Sequence, residues 1–300
     1  MRVVVTGTKG QTARCLQEIA PSLGLEILTV GRPQLDLMEP ASVLAAITRA
    51  RPDIIVSAAA YTAVDLAETE VDTAFSVNVD GAGAVAQAAA ALDAPLIHMS
   101  TDYVFAGDQA SPYRETDVTR PLSIYGLSKR KGEVRVEETT GNHVILRIGW
   151  LYSPFGRNFV RTMIDLAGHR EQVNVVRDQR GGPTSAFDVA HVIATIAQRL
   201  VDSKDAGLRG IFHLAPQGDA SWAELAEEVF RGYAMVTGKS VAVRPIATHE
   251  YPTAARRPAR STMDTTKLRT AFGICLPPWQ ASLPGVVERV IQEKVGELAS

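Results

Sequence analysis

The chain has 300 residues and a mass of 32.2 kDa, more than one hydrophobic core ordinarily serves, so a large domain with a smaller lobe is expected. A net charge of −2 and a pI near 6.3 give no electrostatic case for nucleic acid as a partner. The two cysteines, Cys15 and Cys275, lie far apart and outside metal-ligand spacing, which suits a reducing compartment without a disulfide framework.

Met1–Gly7 enters a strand at once and leaves no room for a signal peptide, so the expected location is cytoplasmic. The most apolar runs, Ile54–Ala60 and Gly83–Leu92, are too short or too interrupted for a bilayer span of about 20 residues, so no membrane partner is expected. Apolar runs bounded by turn residues recur at Val3–Thr6, Glu26–Val30, Asp53–Ala58, Pro95–Ser100 and His143–Ile148. Helical periodicity fills the stretches between them, at Gln11–Ser22, Ala41–Ala50, Asp72–Leu92 and Tyr125–Thr139. This alternation predicts an α/β fold, a doubly wound, parallel, Rossmann-type sheet over residues 1–150.

After residue 150 the pattern loosens. Helices are expected near Asn158–Ala167, Asp188–Val201 and Trp222–Tyr233, and strands near Val173–Val176 and Ile211–Leu214. Val241–Pro258 and Leu276–Leu283 read as surface loops. Residues 151–300 are expected to form a smaller α/β substrate-binding lobe, partly interleaved with the main sheet.

Gly7-x-x-Gly10 follows the first strand and opens a helix, the setting in which glycines let backbone N–H groups approach a pyrophosphate. Ala13 replaces the third glycine of the usual fingerprint. At the end of the second strand Arg32 occupies the region where an NAD site carries an acid, which favours the 2′-phosphate of NADPH over NADH. Asp36-Leu37 follows as an expected adenine contact. Ala58-Ala59-Ala60-Tyr61-Thr62 places small side chains at the end of the third strand, where ligands of such sheets bind.

Tyr125 and Lys129 are four apart on a helix and share a face. A phenol titrates near pH ~10, and a neighbouring cation is expected to lower that value, which makes Tyr125 a proton donor beside a hydride carrier. Thr101, at the end of the fourth strand, can bind a carbonyl oxygen and help position that proton. The six histidines form no local ligand pair, so no catalytic metal is expected, and Trp222 and Trp279 read as packing residues.

These segments resemble the extended short-chain dehydrogenase/reductase family, and within it the nucleotide-sugar 4-ketoreductases. The resemblance runs nearly end to end, through Gly7–Gln11, Arg51–Val56, Ala58–Asp65, Ser100–Phe105, Tyr125–Lys129, Arg147–Tyr152, Asn158-Phe159, Asp178–Thr184 and Ala254–Pro258. It implies Tyr125 as catalytic acid, Lys129 as the ribose-binding residue that lowers the tyrosine pKa, and Thr101 as the residue tuning proton transfer. Gly10, Gln11, Thr12, Ala60, Tyr61 and Thr62 would contact the cofactor, while Thr101, Asp102 and Trp150 would face the sugar nucleotide. Arg257 would take its pyrophosphate, since a guanidinium pairs bidentately with such oxygens. The implied reaction reduces C4 of a dTDP-linked 4-keto-6-deoxy-L-hexose to dTDP-L-rhamnose. The rivals are a 4-ketoreductase for another hexose and a non-catalytic NADP-binding regulatory subunit. Some members form a homodimer around magnesium held by glutamates, one on the first helix. Cys15 stands at that place here, which argues against the metal bridge and leaves Glu288, Glu293 and Glu297 on the last helix as the remaining donors.

Overall fold

The computed structural model describes the backbone of residues 1–299 and the side chains of residues 1–294, so the side chain of Glu297 lies outside the described residues. The first half alternates as expected: β1 (Arg2–Thr6), α1 (Gln11–Ile19), β2 (Glu26–Val30), α2 (Pro40–Ala50), β3 (Ile54–Ser57), α3 (Val71–Phe75), α4 (Gly81–Ala91), β4 (Leu96–Thr101), α5 (Ile124–Thr139) and β5 (His143–Ile148). The second half adds β6 (Leu151–Tyr152), α6 (Phe159–Ala167), β7 (Gln172–Val176), β8 (Arg180–Gly181), β9 (Thr184–Ser185) and α7 (Ala186–Asp202). It closes with β10 (Gly210–Leu214), β11 (Ala220–Ser221), α8 (Trp222–Thr237), β12 (Ala242–Ile246), α9 (Thr266–Phe272) and α10 (Trp279–Ala299).

Six strands form one parallel sheet in the order β10-β5-β4-β3-β1-β2. Its central strands are buried on both faces and read as continuous Val, Ile and Leu, as strands covered by crossover helices must. α1 and α7 cover one face and α2 and α4 the other. β10, from the second half of the chain, completes the sheet beside β5. A separate core of α6, α8 and α10, centred on Tyr152, Phe230, Trp279 and Val287, builds the lobe.

Three segments depart from the sequence reading. The helix expected over Asp72–Leu92 is interrupted by a π turn at Ser76–Asp80, a feature that concentrates at functional sites. Val241–Pro258 contains β12, which pairs in parallel with β7; Pro245 within it and its largely exposed pattern hide the strand signal. Leu276–Leu283 is not a loop throughout, because α10 begins at Trp279 and tolerates Pro284 in its second turn.

α5 starts sharply because the Ser123 hydroxyl accepts the Gly126 N–H at 3.1 Å. Gly126 is required there, since any Cβ would collide with the Tyr103 carbonyl oxygen. This close approach seats Tyr125 against the turn that follows β4.

Candidate active site

The loops that follow β1, β3, β4 and β5 meet along the C-terminal edge of the sheet. After β1 the chain turns at Gly7, φ +89°, whose N–H donates to the Val30 carbonyl at 2.7 Å. A Cβ on Gly7 would press on Ala59 at 3.3 Å, and one on Gly31 would press on Thr8 at the same distance. Gly10 begins α1 with no side-chain cap, and the space where its Cβ would lie is open for 4 Å. Uncapped N–H groups beside open space fit the diphosphate of a dinucleotide.

The side chains of that turn have other work. Gln11 faces the lobe, its oxygen accepting from Ser153 at 2.8 Å and from Asn158 at 3.1 Å, and Thr12 is buried. Leu37 is likewise buried in the core beneath Gly81, so its side chain packs within the protein. The Asp36 carboxylate accepts the Met38 N–H at 3.0 Å, and Arg32 is exposed beyond the end of β2.

Ala60, Tyr61 and Thr62 form the loop after β3, and their fastening was not legible in the sequence. The Asn78 side chain, on the π turn, accepts the Tyr61 N–H at 2.9 Å and donates to the Tyr61 carbonyl and the Ser128 hydroxyl, both at 3.0 Å. One buried amide therefore joins the small-residue loop to the helix that carries Tyr125. The helix interruption at Asn78 was its only signal, and periodicity alone does not reveal it.

Thr101 ends β4 beside the Tyr125 phenol, and its hydroxyl donates to the Asp102 carboxylate and accepts the Tyr103 N–H, both at 3.1 Å. Burial pushes the Tyr125 phenol up to about 12, Asp102 adds to the rise, and the Thr101 hydroxyl opposes it. A cation-lowered phenol, expected from the spacing, is not found: the Lys129 ammonium donates to the Met99 carbonyl at 2.7 Å. Burial brings Lys129 itself down to about 8, with Glu133 acting in the other direction.

Asp102 is 1% exposed. Its second oxygen accepts from Ser261, and burial raises it to about 6. Its first oxygen accepts from the Thr101 hydroxyl, so the carboxylate braces that side chain. Ser261, far away in sequence, carried no signal of this role.

Trp150 takes φ +46°, strained for a non-glycine residue, and stacks on Trp222 with centroids 3.4 Å apart and planes 2° from parallel. Trp222 therefore does more than pack: it lines a cavity of about 740 Å³ together with Phe159, Gln179, Tyr103, Asp65 and Arg257. At one end of this cavity the Tyr103 ring lies edge-on to Tyr125, centroids 5.9 Å apart. Arg257 reaches the same end, held bidentately by Asp65 at 3.0 and 2.7 Å. Trp279, by contrast, is a buried packing residue.

Among the described residues no three His, Cys, Asp or Glu side chains converge to hold a metal ion. Glu293 pairs with Arg289 and Arg161, Glu288 accepts from Gln292, and the Cys15 thiol is buried and pushed up to about 12. No helix among the described residues is long and apolar enough to cross a membrane.

A glycine turn opening onto an uncapped helix, with Tyr125, Lys129 and Thr101 gathered at the same sheet edge, is the arrangement of a short-chain dehydrogenase/reductase. Sequence comparison refines the class. The chain belongs to the family described as the RmlD substrate binding domain, whose model matches residues 1–292. It is 50% identical over 293 residues to a dTDP-4-dehydrorhamnose reductase from Sinorhizobium fredii, covering 98% of this chain and 99% of the relative. The Escherichia coli enzyme of the same name is 38% identical over 301 residues, covering 98% of each. Among solved structures, the dTDP-4-dehydrorhamnose reductase of Bacillus anthracis in complex with NADP superposes with a TM-score of 0.87 at 37% identity, covering 97% of this chain and 99% of that one.

Proposed function

We propose that this protein reduces the C4 keto group of dTDP-4-dehydro-L-rhamnose to dTDP-L-rhamnose, using NADPH. The observation that carries the reading is Thr101 at the end of β4 beside Tyr125 in the first turn of α5, in a chain half identical over nearly its whole length to a reductase of that name. NADPH, when bound, supplies the hydride.

The backbone of residues 7–12 and 60–62 cradles the dinucleotide, Arg32 meets its 2′-phosphate, and Asp36-Leu37 borders the adenine. The Thr101 hydroxyl donates to the substrate carbonyl oxygen and fixes its place. Tyr125 gives its proton to that oxygen as the C4 carbonyl becomes an alcohol, and the raised phenol keeps the proton in place until then. Lys129, one turn along and anchored to the Met99 carbonyl, binds the nicotinamide ribose. The cavity between the sheet and the lobe receives the nucleotide, with Trp222, backed by the stacked Trp150, as its aromatic wall and Arg257 turned from Asp65 to the pyrophosphate. In the same reading, residues 1–150 with β10 hold the cofactor, the remaining lobe holds the substrate, and the protein works as a cytoplasmic homodimer.

The test follows NADPH oxidation with enzymatically prepared sugar nucleotide and identifies the product by NMR. Tyr125→Phe is expected to lose at least about 100-fold in kcat while binding NADPH normally. Near-parental turnover in that variant refutes Tyr125 as the donor, and a product of opposite C4 configuration refutes dTDP-L-rhamnose as the product.

A further inference from the structure

Beneath the catalytic edge lies a buried ion pair that the reaction as written does not use. Glu133 is wholly buried on α5, and Arg147 on β5 is 1% exposed. Glu133 Oε1 accepts from Ser100 Oγ at 2.6 Å and from Arg147 Nε at 2.9 Å, and Oε2 accepts from Arg147 Nη2 at 2.8 Å. Arg130 stands 3.2 Å from Oε2 on the outer side, and the Arg147 guanidinium lies 5.1 Å from the centre of the Phe105 ring. A buried pair of this kind adds little stability over apolar residues of the same shape. Its use is therefore to be sought in what it orients.

Tyr125, Lys129 and Glu133 follow at intervals of four and form one stripe of α5. Each reaches one of three consecutive residues of β4: Tyr125 meets Thr101, Lys129 meets the Met99 carbonyl, and Glu133 meets Ser100. Ser100 is in register with Arg147 across the β4–β5 ladder, so the carboxylate closes a clamp over both strands. We propose that Glu133 is a positioning residue for the reduction, seating the Tyr125–Lys129 stripe of α5 against the end of β4 and keeping the Lys129 ammonium charged.

The surroundings of Lys129 leave this electrostatic task to Glu133. From β4 it faces the His98 imidazole, which burial and the lysine charge hold neutral, and the uncharged Met99 carbonyl. From β5, Arg147 is taken up by Glu133, and His143 acts on His98. On the π turn the neighbouring group is the neutral Asn78 amide, bonded to Ser128, and after β4 the Asp102 charge bears on Tyr125. Glu133 is the group whose charge opposes the loss of the Lys129 proton.

The inference rests on the ketoreductase reading and is tested in the full chain by kcat/KM from about pH 6 to 10 and by fluorescence titration of NADPH affinity over the same range. The parent is expected to show an alkaline limb near the Lys129 value of about 8. In Glu133→Gln, which keeps an acceptor for Ser100, that limb moves down by roughly one pH unit and kcat at the optimum falls roughly tenfold. The double variant Glu133→Gln/Arg147→Met removes both members of the ion pair, so the guanidinium is not left buried without its carboxylate, and it is expected to fold and to show the same displaced limb. Folded variants that lose activity by one factor at every pH, with the limb and the NADPH profile unmoved, overturn the proposal. A parent that turns over no sugar nucleotide refutes the ketoreductase reading instead, while the pH dependence of NADPH binding still decides the role of Glu133.

Discussion

Gly181→Ala probes the aromatic wall without touching either tryptophan. The added Cβ would stand 2.5 Å from Cε2 and Nε1 of Trp150, at least about 0.5 Å inside the closest separation that such atoms adopt. The indole cannot yield towards Trp222, because the two rings already stack with centroids 3.4 Å apart. It cannot readily rotate with its backbone either, since Trp150 is held at φ +46°. The ring must slide out of the stack, at an overpacking cost of about 1–3 kcal/mol. If that cost falls on the bound sugar nucleotide, KM rises roughly 5- to 150-fold. Steady-state NADPH oxidation reads KM, a fluorescence titration reads NADPH affinity, and a urea midpoint reads folding. The expected pattern is a raised KM with NADPH affinity within about twofold of the parent. An unchanged KM together with an unchanged urea midpoint would refute the reasoning, because the methyl group would then have found room that the geometry denies it.

Two further outcomes follow from the same geometry. His213 donates Nδ1–H to the Tyr113 carbonyl at 3.1 Å and turns Nε2 towards Arg147, so burial and that guanidinium bring it down to about 3 from an ordinary value near 6.5. Its neutral form supports folding above pH ~6.5, and that support is lost as pH falls towards 3, about 2 kcal/mol of it by pH 5. Urea unfolding at pH 7.5 and 5 should show a smaller loss in His213→Asn, which keeps the donor to Tyr113; equal losses would exclude His213 as a source. For the substrate, Arg257→Ala should raise KM about 10- to 100-fold, while Asp65→Asn, which releases the guanidinium, should not raise it. Unchanged KM in Arg257→Ala removes the residue from the site.

Local chemistry made the nucleotide half of the protein readable. Val, Ile and Leu runs between helical stretches mark buried parallel strands, and Gly7 and Gly10 at a strand-to-helix turn mark an anion cradle, because both signals lie within a few residues of one another. The Tyr125–Lys129 spacing is equally local. Asn78, Ser261 and the Asp65–Arg257 pair join segments remote in sequence, and no periodicity announces such a partner. Trp222 was readable as an apolar residue at the start of a helix, but its place in the cavity wall depends on Trp150, 72 positions earlier.

Pattern alone made legible the doubly wound sheet, the strand end at which Thr101 stands, and the stripe of α5 that carries Tyr125 and Lys129. Pattern and spacing suffice for these, since side-chain direction within an element follows from its period. The tertiary structure decided the electrostatics. Burial raised the tyrosine instead of a cation lowering it, the lysine ammonium went to a strand carbonyl, and Glu133, on the same stripe of α5, went to Ser100 and Arg147. The charge and proton affinity of a group depend on which atoms surround it, and that is settled only when distant segments pack.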